Sequence, residues 1–151
     1  MSVVRDLPLA AASVPADATF GEASRVLSAS KLAAIAVLDV EQRVTGVFTQ
    51  DAQLRGLFPG YLAELRHTAF LDDDAEGLVE RARTVGAEPV TRYLTKAPSL
   101  DAGESHTHAA ELFLHHGLAA LPVVDDGRFL GMLGQGALCD AADDLLERDQ
   151  S

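Results

Sequence analysis

The hydrophobic positions of this chain fall into two series of blocks that follow the same order. In each series an amphipathic stretch with helical spacing precedes a continuous apolar run, an acidic turn and a second apolar run. Short continuous apolar runs bounded by turn residues are typical of buried strands. The first runs are residues 33–38 and 119–124, and the returning runs are Val44–Phe48 and Phe129–Leu133. Each series predicts the order strand, helix, strand, strand, helix, which indicates a mixed α/β (α+β) fold.

The two series are copies of one sequence unit. Residues 13–39 align with residues 99–125 without a gap at an offset of 86, and the offset becomes 85 after one deletion in the next turn. A shorter lead-in match, at an offset of 87, pairs Arg5 with Arg92. Two copies are too few for an open solenoid, so we expect packing about a pseudo-twofold axis with the functional cleft between the copies. The aligned pairs include Ala23 and Ala109, Asp39 and Asp125, Gly46 and Gly131, and Gln50 and Gln135.

Capping residues set the predicted bounds of the helices. Thr19 and Glu22 form a capping-box pattern at the start of the first helix. Ser105 is the corresponding N-cap in the second copy, and Gly117 is the predicted stop of that helix. A closing helix is predicted for each copy, at about residues 51–57 and 136–148.

The repeat divides the chain into three predicted segments: a first copy at 1–58, a helical insert at 59–89 and a second copy at 90–148. The insert has one helical stretch with an apolar face and another that follows an acidic turn and ends near Gly86. The apolar face and the acidic turn are Leu62, Leu65 and Ala69, and Asp72-Asp73-Asp74. Long connections are usually structured or functional, so the insert is either a spacer covering apolar surface or a lid or oligomer contact.

Charge and composition exclude several classes of function. The chain has 12 Lys plus Arg against 23 Asp plus Glu, and its net charge of −11 opposes nucleic-acid binding. Its single cysteine, Cys139, allows no internal disulfide, and its place on an apolar helix face favours a buried thiol. No signal peptide or membrane-length apolar run occurs, so we expect a cytoplasmic protein without membrane association. Only two lysines among many alanines fit a GC-rich bacterial genome.

Two motifs recur in both copies with the same order and spacing. An apolar strand ends in Asp, and the returning strand contains a glycine followed by two apolar residues. The motifs read Ala36-Val37-Leu38-Asp39 and Gly46-Val47-Phe48-Thr49 in the first copy, and Pro122-Val123-Val124-Asp125 and Gly131-Met132-Leu133 in the second. In this arrangement nearly the whole chain, apart from the insert, resembles a tandem pair of CBS domains, the Bateman module.

The resemblance implies two βαββα units, a cleft that takes adenosine-containing ligands in many members, and a homodimer in which two pairs form a disc. Relatives regulate an attached enzyme, transporter or channel. No such domain is recognisable here, so we expect the regulated partner to be a separate chain. AMP, ATP and S-adenosylmethionine are the candidate ligands that the resemblance implies, and no cofactor is indicated as required.

Nucleotide-binding members of the family carry glycine, two apolar residues, Ser or Thr, two further residues and then Asp. The hydroxyl approaches phosphate, and the Asp accepts hydrogen bonds from both ribose hydroxyls. In the first copy Thr49 matches, but Ala52 holds the Asp position and Asp51 lies one residue early. The second copy has Gly134 and Ala137 at the two polar positions. The resemblance places ligand contacts at Thr49, Asp51, Gly46, Phe48 and Ile35, and at Gly131, Leu133 and Leu121.

These differences predict asymmetric binding. The half of the cleft with Thr49 and Asp51 should carry a nucleotide, with AMP or adenosine favoured over ATP by the acidic surface. Alternatively, Asp51 only caps or charges a helix N-terminus, where the dipole favours a carboxylate. Loss of the Asp position also keeps open a second hypothesis, a dimerisation or docking module that has lost ligand binding.

Other candidate chemistry is weak. The histidines near residues 106–116 do not have chelating spacing, and the acidic turn of the insert lacks the glycine and glutamate of a calcium loop. No triad or paired-carboxylate pattern stands out. We therefore expect neither an enzyme nor a metal site. We expect exposed apolar residues on the last helix, Leu138, Ala142 and Leu145, to be covered in a homodimer.

Overall fold

Two three-stranded sheets form the centre of the molecule in a computed structural model that describes residues 3–58 and 71–149. In each sheet a short first strand runs parallel to the second, which pairs with the third in antiparallel fashion. The strands are β1 Ser13–Pro15, β2 Ala34–Leu38, β3 Val44–Thr49, β4 Leu100–Asp101, β5 Ala120–Asp125 and β6 Arg128–Gly134. The helices are α1 Phe20–Ser30, α2 Gln50–Leu57, α3 Leu71–Gly86, α4 His106–His116 and α5 Gln135–Asp149. The predicted mixed α/β class and the order of elements in each copy are confirmed.

The strand registers of the two sheets are equivalent. Val37 lies opposite Gly46 and Val123 lies opposite Gly131, and in both sheets the register shifts immediately after this pair. Such a shift marks a bulge, which bends the strand and strengthens its twist. The shared irregularity confirms that the two sequence series are copies of one structural unit.

The predicted N-caps begin their helices. The N–H of Glu22 donates to the Thr19 hydroxyl at 3.1 Å, and the N–H of His108 donates to the Ser105 hydroxyl at 3.1 Å. Each bond satisfies one of the amides that a helix start leaves without an intrahelical partner.

Each lead-in segment packs on the opposite copy. The lead-in segments are the residues of each copy that precede its first strand, and they contain two 3-10 turns, Val4–Asp6 and Val90–Tyr93. The Val4 N–H donates to the Glu104 carbonyl at 2.8 Å, and the Val90 N–H donates to the Ala18 carbonyl at 3.0 Å. Val4 and Val90 are therefore equivalent at an offset of 86, and the lead-in alignment at 87 is wrong by one residue. Short lead-in matches lack the context that fixes alignment in the longer strands.

Each lead-in also crosses to the opposite copy and exchanges backbone hydrogen bonds with its returning strand. The N–H groups of Ala10 and Met132 each donate to the other's carbonyl, at 2.9 and 2.7 Å. Val47 and Thr95 make the same exchange, at 3.0 and 2.9 Å. Met132 and Val47 are equivalent positions of the returning strands, and each pairs with a lead-in residue of the opposite copy, so the two contacts exchange under a twofold rotation. This is the arrangement expected for copies packed about a pseudo-twofold axis.

The insert helix covers the helix layer of the first copy. Val85 of α3 is 2% exposed and belongs to the core of that copy, and Arg81 donates from Nε to the Gly56 carbonyl at 2.9 Å. α3 therefore packs on the first copy, and the role of the insert stays a prediction. The acidic turn was wrongly predicted, because α3 already begins at Leu71 and includes residues 72–74. The predicted apolar face of Leu62, Leu65 and Ala69 lies outside the described residues.

None of the helices in the described ranges is both long and apolar enough to cross a bilayer.

Candidate functional site

A cleft of about 470 Å³ lies between the two copies. Its walls come from the lead-in of the first copy, the entries to β2 and β5, and the junction between β6 and α5. Twelve residues line it: Pro8, Ala10, Lys31, Leu32, Ala33, Gln50, Ala119, Met132, Gly134, Gln135, Gly136 and Ala137. A volume of this size accommodates a small organic molecule.

Two pairs of equivalent residues show where the cleft lies. The Gln50 N–H donates to the Ala33 carbonyl at 2.9 Å, and in the second copy the Gln135 N–H donates to the Ala119 carbonyl at 2.9 Å. All four residues line the cleft. Because they form equivalent pairs, the cleft extends across the pseudo-twofold axis, and a molecule bound there would contact both copies.

The walls of the cleft carry one charged side chain. Among its lining residues, all within the described ranges, Lys31 is the only charged one, and none is a carboxylate. Gln50 and Gln135 supply side-chain amides that both donate and accept hydrogen bonds. The arrangement favours a ligand with polar and anionic groups.

Lys31 has an unusual backbone conformation. It ends α1 with φ 61° and ψ 18°, in the left-handed region. The equivalent residue that ends α4 is Gly117, with φ 67° and ψ 15°. A side chain in this conformation costs about 1 kcal/mol, a cost that glycine avoids. The first copy thus has a lysine where the second has the residue best suited to the backbone.

The two polar residues predicted to bind ligand lie at the start of α2. Thr49 is 7% exposed, and its hydroxyl accepts a hydrogen bond from the Ala52 N–H at 3.0 Å. Asp51 is exposed and forms an ion pair with Arg55, with 2.6 Å between the carboxylate and Nε. Thr49 therefore acts as an N-cap, and Asp51 places negative charge at the helix N-terminus. Ligand contact at these two residues stays a prediction.

The apolar candidates lie in the two hydrophobic cores. Ile35, Phe48, Leu121 and Leu133 have no exposed surface. Their strands are buried on both faces, so the sequence pattern alone could not distinguish cleft-facing positions from core positions.

The two glycine candidates are covered by the crossing lead-ins. A Cβ on Gly46 would lie 3.2 Å from the Leu94 Cβ, and one on Gly131 would lie 2.8 Å from the Leu9 Cβ. Glycine is needed here because two backbones approach closely. None of the eight predicted contacts is among the described residues that line the cleft.

Sequence reasoning placed no ligand contact at the residues that line the cleft, although Gly134 and Ala137 hold motif positions and two other residues carried a signal. Gln50 and Gln135 are identical at equivalent positions of the repeat, and each directly follows a returning strand. Lys31 carried no repeat signal because its equivalent is Gly117. Its place on the wall depends on how the two copies pack, which no local pattern encodes.

One tyrosine near the crossing has a perturbed pKa. The Tyr93 hydroxyl donates a hydrogen bond to the Glu88 carboxylate, and this bond, together with burial, raises the pKa of the phenol. The Tyr93 ring packs edge-on against Phe20, with 4.8 Å between centroids. The protonated phenol therefore helps to fix the second lead-in against the first copy.

The histidines at residues 106–116 and Cys139 are not among the residues that line the cleft. His106 Nε2 lies 3.2 Å from the Val3 carbonyl, and His108 Nε2 lies 3.2 Å from a Glu104 carboxylate oxygen. Within the described part of the chain, no group of three or more His, Cys, Asp and Glu side chains could hold a metal ion. Cys139 is exposed, so the expectation of a buried thiol was wrong. The buried side of α5 instead passes through Leu138, so the expectation that Leu138 is exposed was also wrong.

The sequence of both copies matches the model of a known domain family. The model of the CBS domain matches residues 4–52 and 90–144, the two copies with their lead-ins and more than half of the chain. The chain belongs to the CBS-domain family. The tandem CBS pair inferred from the repeated motifs is therefore confirmed.

Solved structures share the fold of the CBS pair. The CBS domain of a membrane protein from Sphaerobacter thermophilus has 20% identity and a TM-score of 0.72, covering 93% of this chain and 87% of its own. A CBS-domain protein of unknown function from Kribbella flavida has 14% identity and a TM-score of 0.74, covering 93% and 97%. CBSX2 in complex with AMP has 22% identity and a TM-score of 0.68, covering 96% and 98%. No curated protein has a sequence that matches this chain.

Proposed function

We propose that this CBS pair is a regulatory module whose inter-copy cleft binds an adenosine-containing small molecule and that it acts on a separate protein. The cleft across the pseudo-twofold axis is the observation that carries the proposal, because its occupant would contact both copies at once. The AMP complex of CBSX2 supports the ligand class, since that protein shares the fold.

Ligand binding would regulate through a shift of populations. A ligand changes the balance between two arrangements of the copies only by its different affinity for each. Contacts to both Gln50 and Gln135 would make that affinity depend on how the copies are placed. The separate partner would then recognise one arrangement in preference to the other.

Filling the cleft is expected to weaken binding. A Cβ on Gly136 would meet nothing within 4 Å, so Gly136→Trp can add bulk to the cleft wall without a clash at the backbone. We expect calorimetric titration with AMP to show at least about a tenfold loss of affinity for this variant. Gly77→Trp is the matched control, because Gly77 also has open space around it but lies on α3.

The same titration, extended to ATP and S-adenosylmethionine, tests the competing placement at Thr49 and Asp51. If Asp51→Ala loses binding while Gly136→Trp keeps it, the ligand occupies the half predicted from the family motif. If Asp51→Ala binds as the wild type does, Asp51 serves only the helix and its ion pair with Arg55. Absence of heat with all three compounds would favour the docking module that has lost ligand binding.

A second proposal, homodimerisation, rests on an apolar face of the second copy. Whereas α3 packs on α1 and α2, no described element packs in the same way on α4 and α5. Ala110, Leu138, Ala142 and Leu145 line a groove there, and Leu145 is 60% exposed. We propose that a second copy of the chain covers this face in an isologous contact.

Self-association is expected to depend on Leu145. Sedimentation at micromolar concentration should give twice the 16.0 kDa mass of one chain for the wild type and a shift toward 16.0 kDa for Leu145→Glu. Leu54→Glu is the control, since Leu54 is also exposed but belongs to α2. A wild type that sediments only at 16.0 kDa would contradict the proposal.

A further inference from the structure

We propose that Lys31 recognises an anionic group of the cleft ligand, so that the cleft selects a phosphate-bearing adenosine ligand over a neutral one. The inference rests on the proposed function, because it assigns a specificity-determining residue to the same cleft. Two independent observations carry it: the backbone conformation of Lys31 and the charges of the cleft wall.

The backbone of Lys31 favours glycine. Its φ of 61° lies in the left-handed region, and the equivalent position of the second copy, with almost the same angles, is Gly117. Strained non-glycine residues cluster at functional sites, where the side chain has a role that offsets the strain. Lys31 lines the cleft, whereas Gly117 does not border it.

The ammonium of Lys31 faces little competition from carboxylates. Although the chain has a net charge of −11, no Asp or Glu is among the described residues that line the cleft. Within the described part of the chain Lys31 also forms no ion pair. An anionic ligand group could therefore use this charge without displacing a partner.

The residues at the family's two polar positions in the second copy have no polar side chain, which makes the charge of Lys31 important. Gly134 and Ala137, which both line the cleft, supply neither a hydroxyl for phosphate nor a carboxylate for ribose. Lys31 can replace the lost phosphate contact from the opposite copy, because it ends a helix of the first copy while the motif belongs to the second. The cleft thus combines a cation from one copy with the motif position of the other.

Titration with AMP and adenosine separates the charge from the rest of the ligand. We expect the wild type to bind AMP more tightly than adenosine, and Lys31→Met to weaken AMP about tenfold while leaving adenosine unchanged. Lys96→Met is the matched control, because Lys96 is the chain's other lysine and does not line the cleft. Equal loss of AMP affinity in both variants would attribute the effect to net charge and overturn the proposal.

Thermal unfolding without ligand tests the conformational cost. Lys31→Gly should raise the melting temperature by about 2–4 °C because glycine relieves the left-handed strain, while Lys31→Met should not raise it. The same Lys31→Gly variant should lose AMP affinity as Lys31→Met does. If Lys31→Gly is no more stable than the wild type, the lysine carries no cost and the structural basis of the proposal fails.

The outcomes also distinguish this inference from the proposed function. If the wild type binds AMP and adenosine equally, or Lys31→Met binds AMP as the wild type does, the inference fails while the ligand-binding function stands. If the wild type binds neither compound, both fail. A selective loss of AMP affinity in Lys31→Met supports both.

Discussion

Replacing Phe20 by alanine is expected to lower the free energy of unfolding by about 3–5 kcal/mol, the range for a fully buried aromatic residue. Phe20 is 1% exposed and packs edge-on against Phe48, with 5.2 Å between ring centroids, and against Tyr93 at 4.8 Å. The loss combines buried apolar area, two aromatic contacts and the cavity left behind. Urea unfolding followed by circular dichroism measures it.

The position of Phe20 explains why the effect should reach beyond one helix. Its ring connects the first copy with the lead-in of the second through Tyr93, and it lies against the position of Gly56 on α2. His106, the equivalent residue of the second copy, is only partly buried, so His106→Ala should cost much less. Leu114→Ala is a surface control, since Leu114 is 82% exposed. A loss below about 1 kcal/mol for Phe20→Ala would mean that the surrounding core is not closely packed as described.

Most of the fold could be predicted because its signals are local and occur twice. The apolar runs gave β2 and β5, and the polar residues Thr19 and Ser105 gave the helix starts. The repeat strengthened each weak signal, since chance composition does not reproduce one pattern twice in the same order and spacing. Gly46 and Gly131 are equivalent despite one deletion in the preceding turn, because each lies opposite an equivalent valine in its sheet.

The candidate site could not be predicted in the same way. Its walls combine the lead-in of one copy with the β6–α5 junction of the other, and the crossing that brings them together depends on pairing between Ala10 and Met132. The family motif directed attention to Thr49 and Asp51, whose side chains are engaged at the start of α2. The motif positions of the second copy, Gly134 and Ala137, do line the cleft, but they carry no polar side chain that would mark them as ligand contacts.

The two copies differ in the helices that pack on them and in the residues that they contribute to the walls of the cleft. The first copy receives α3 on its helices and contributes Lys31, while the second leaves the α4 and α5 groove open and contributes Gly134 and Ala137. The first copy is thus covered by an element of the chain, whereas no described element covers the α4 and α5 groove of the second copy in the same way. In the proposed scheme, ligand recognition would use the cleft between the copies, and self-association would use the groove of the second copy.

Replacing Gly131 by alanine is expected to cost about 2–3 kcal/mol, since overpacking where the backbone cannot move away is destabilising. The new Cβ would lie 2.8 Å from the Leu9 Cβ and 3.1 Å from the Ala10 carbonyl oxygen. Relief of this overlap requires the first lead-in to move, which weakens the two hydrogen bonds between Ala10 and Met132. The midpoint of urea unfolding should fall accordingly.

The equivalent glycine provides a graded comparison. Gly46→Ala should cost less, about 1 kcal/mol, because its Cβ would lie 3.2 Å from both the Leu94 Cβ and the Thr95 carbonyl oxygen. Gly77→Ala should stabilise by about 0.5–1 kcal/mol, since Gly77 lies inside α3 with nothing within 4 Å of an added Cβ. The order of these three effects depends on the crossing of the lead-ins and not on the identity of the residue replaced. If Gly131→Ala is as stable as Gly77→Ala, the first lead-in does not lie on the returning strand of the second copy. The walls of the cleft, which this contact helps to form, would then differ from those described.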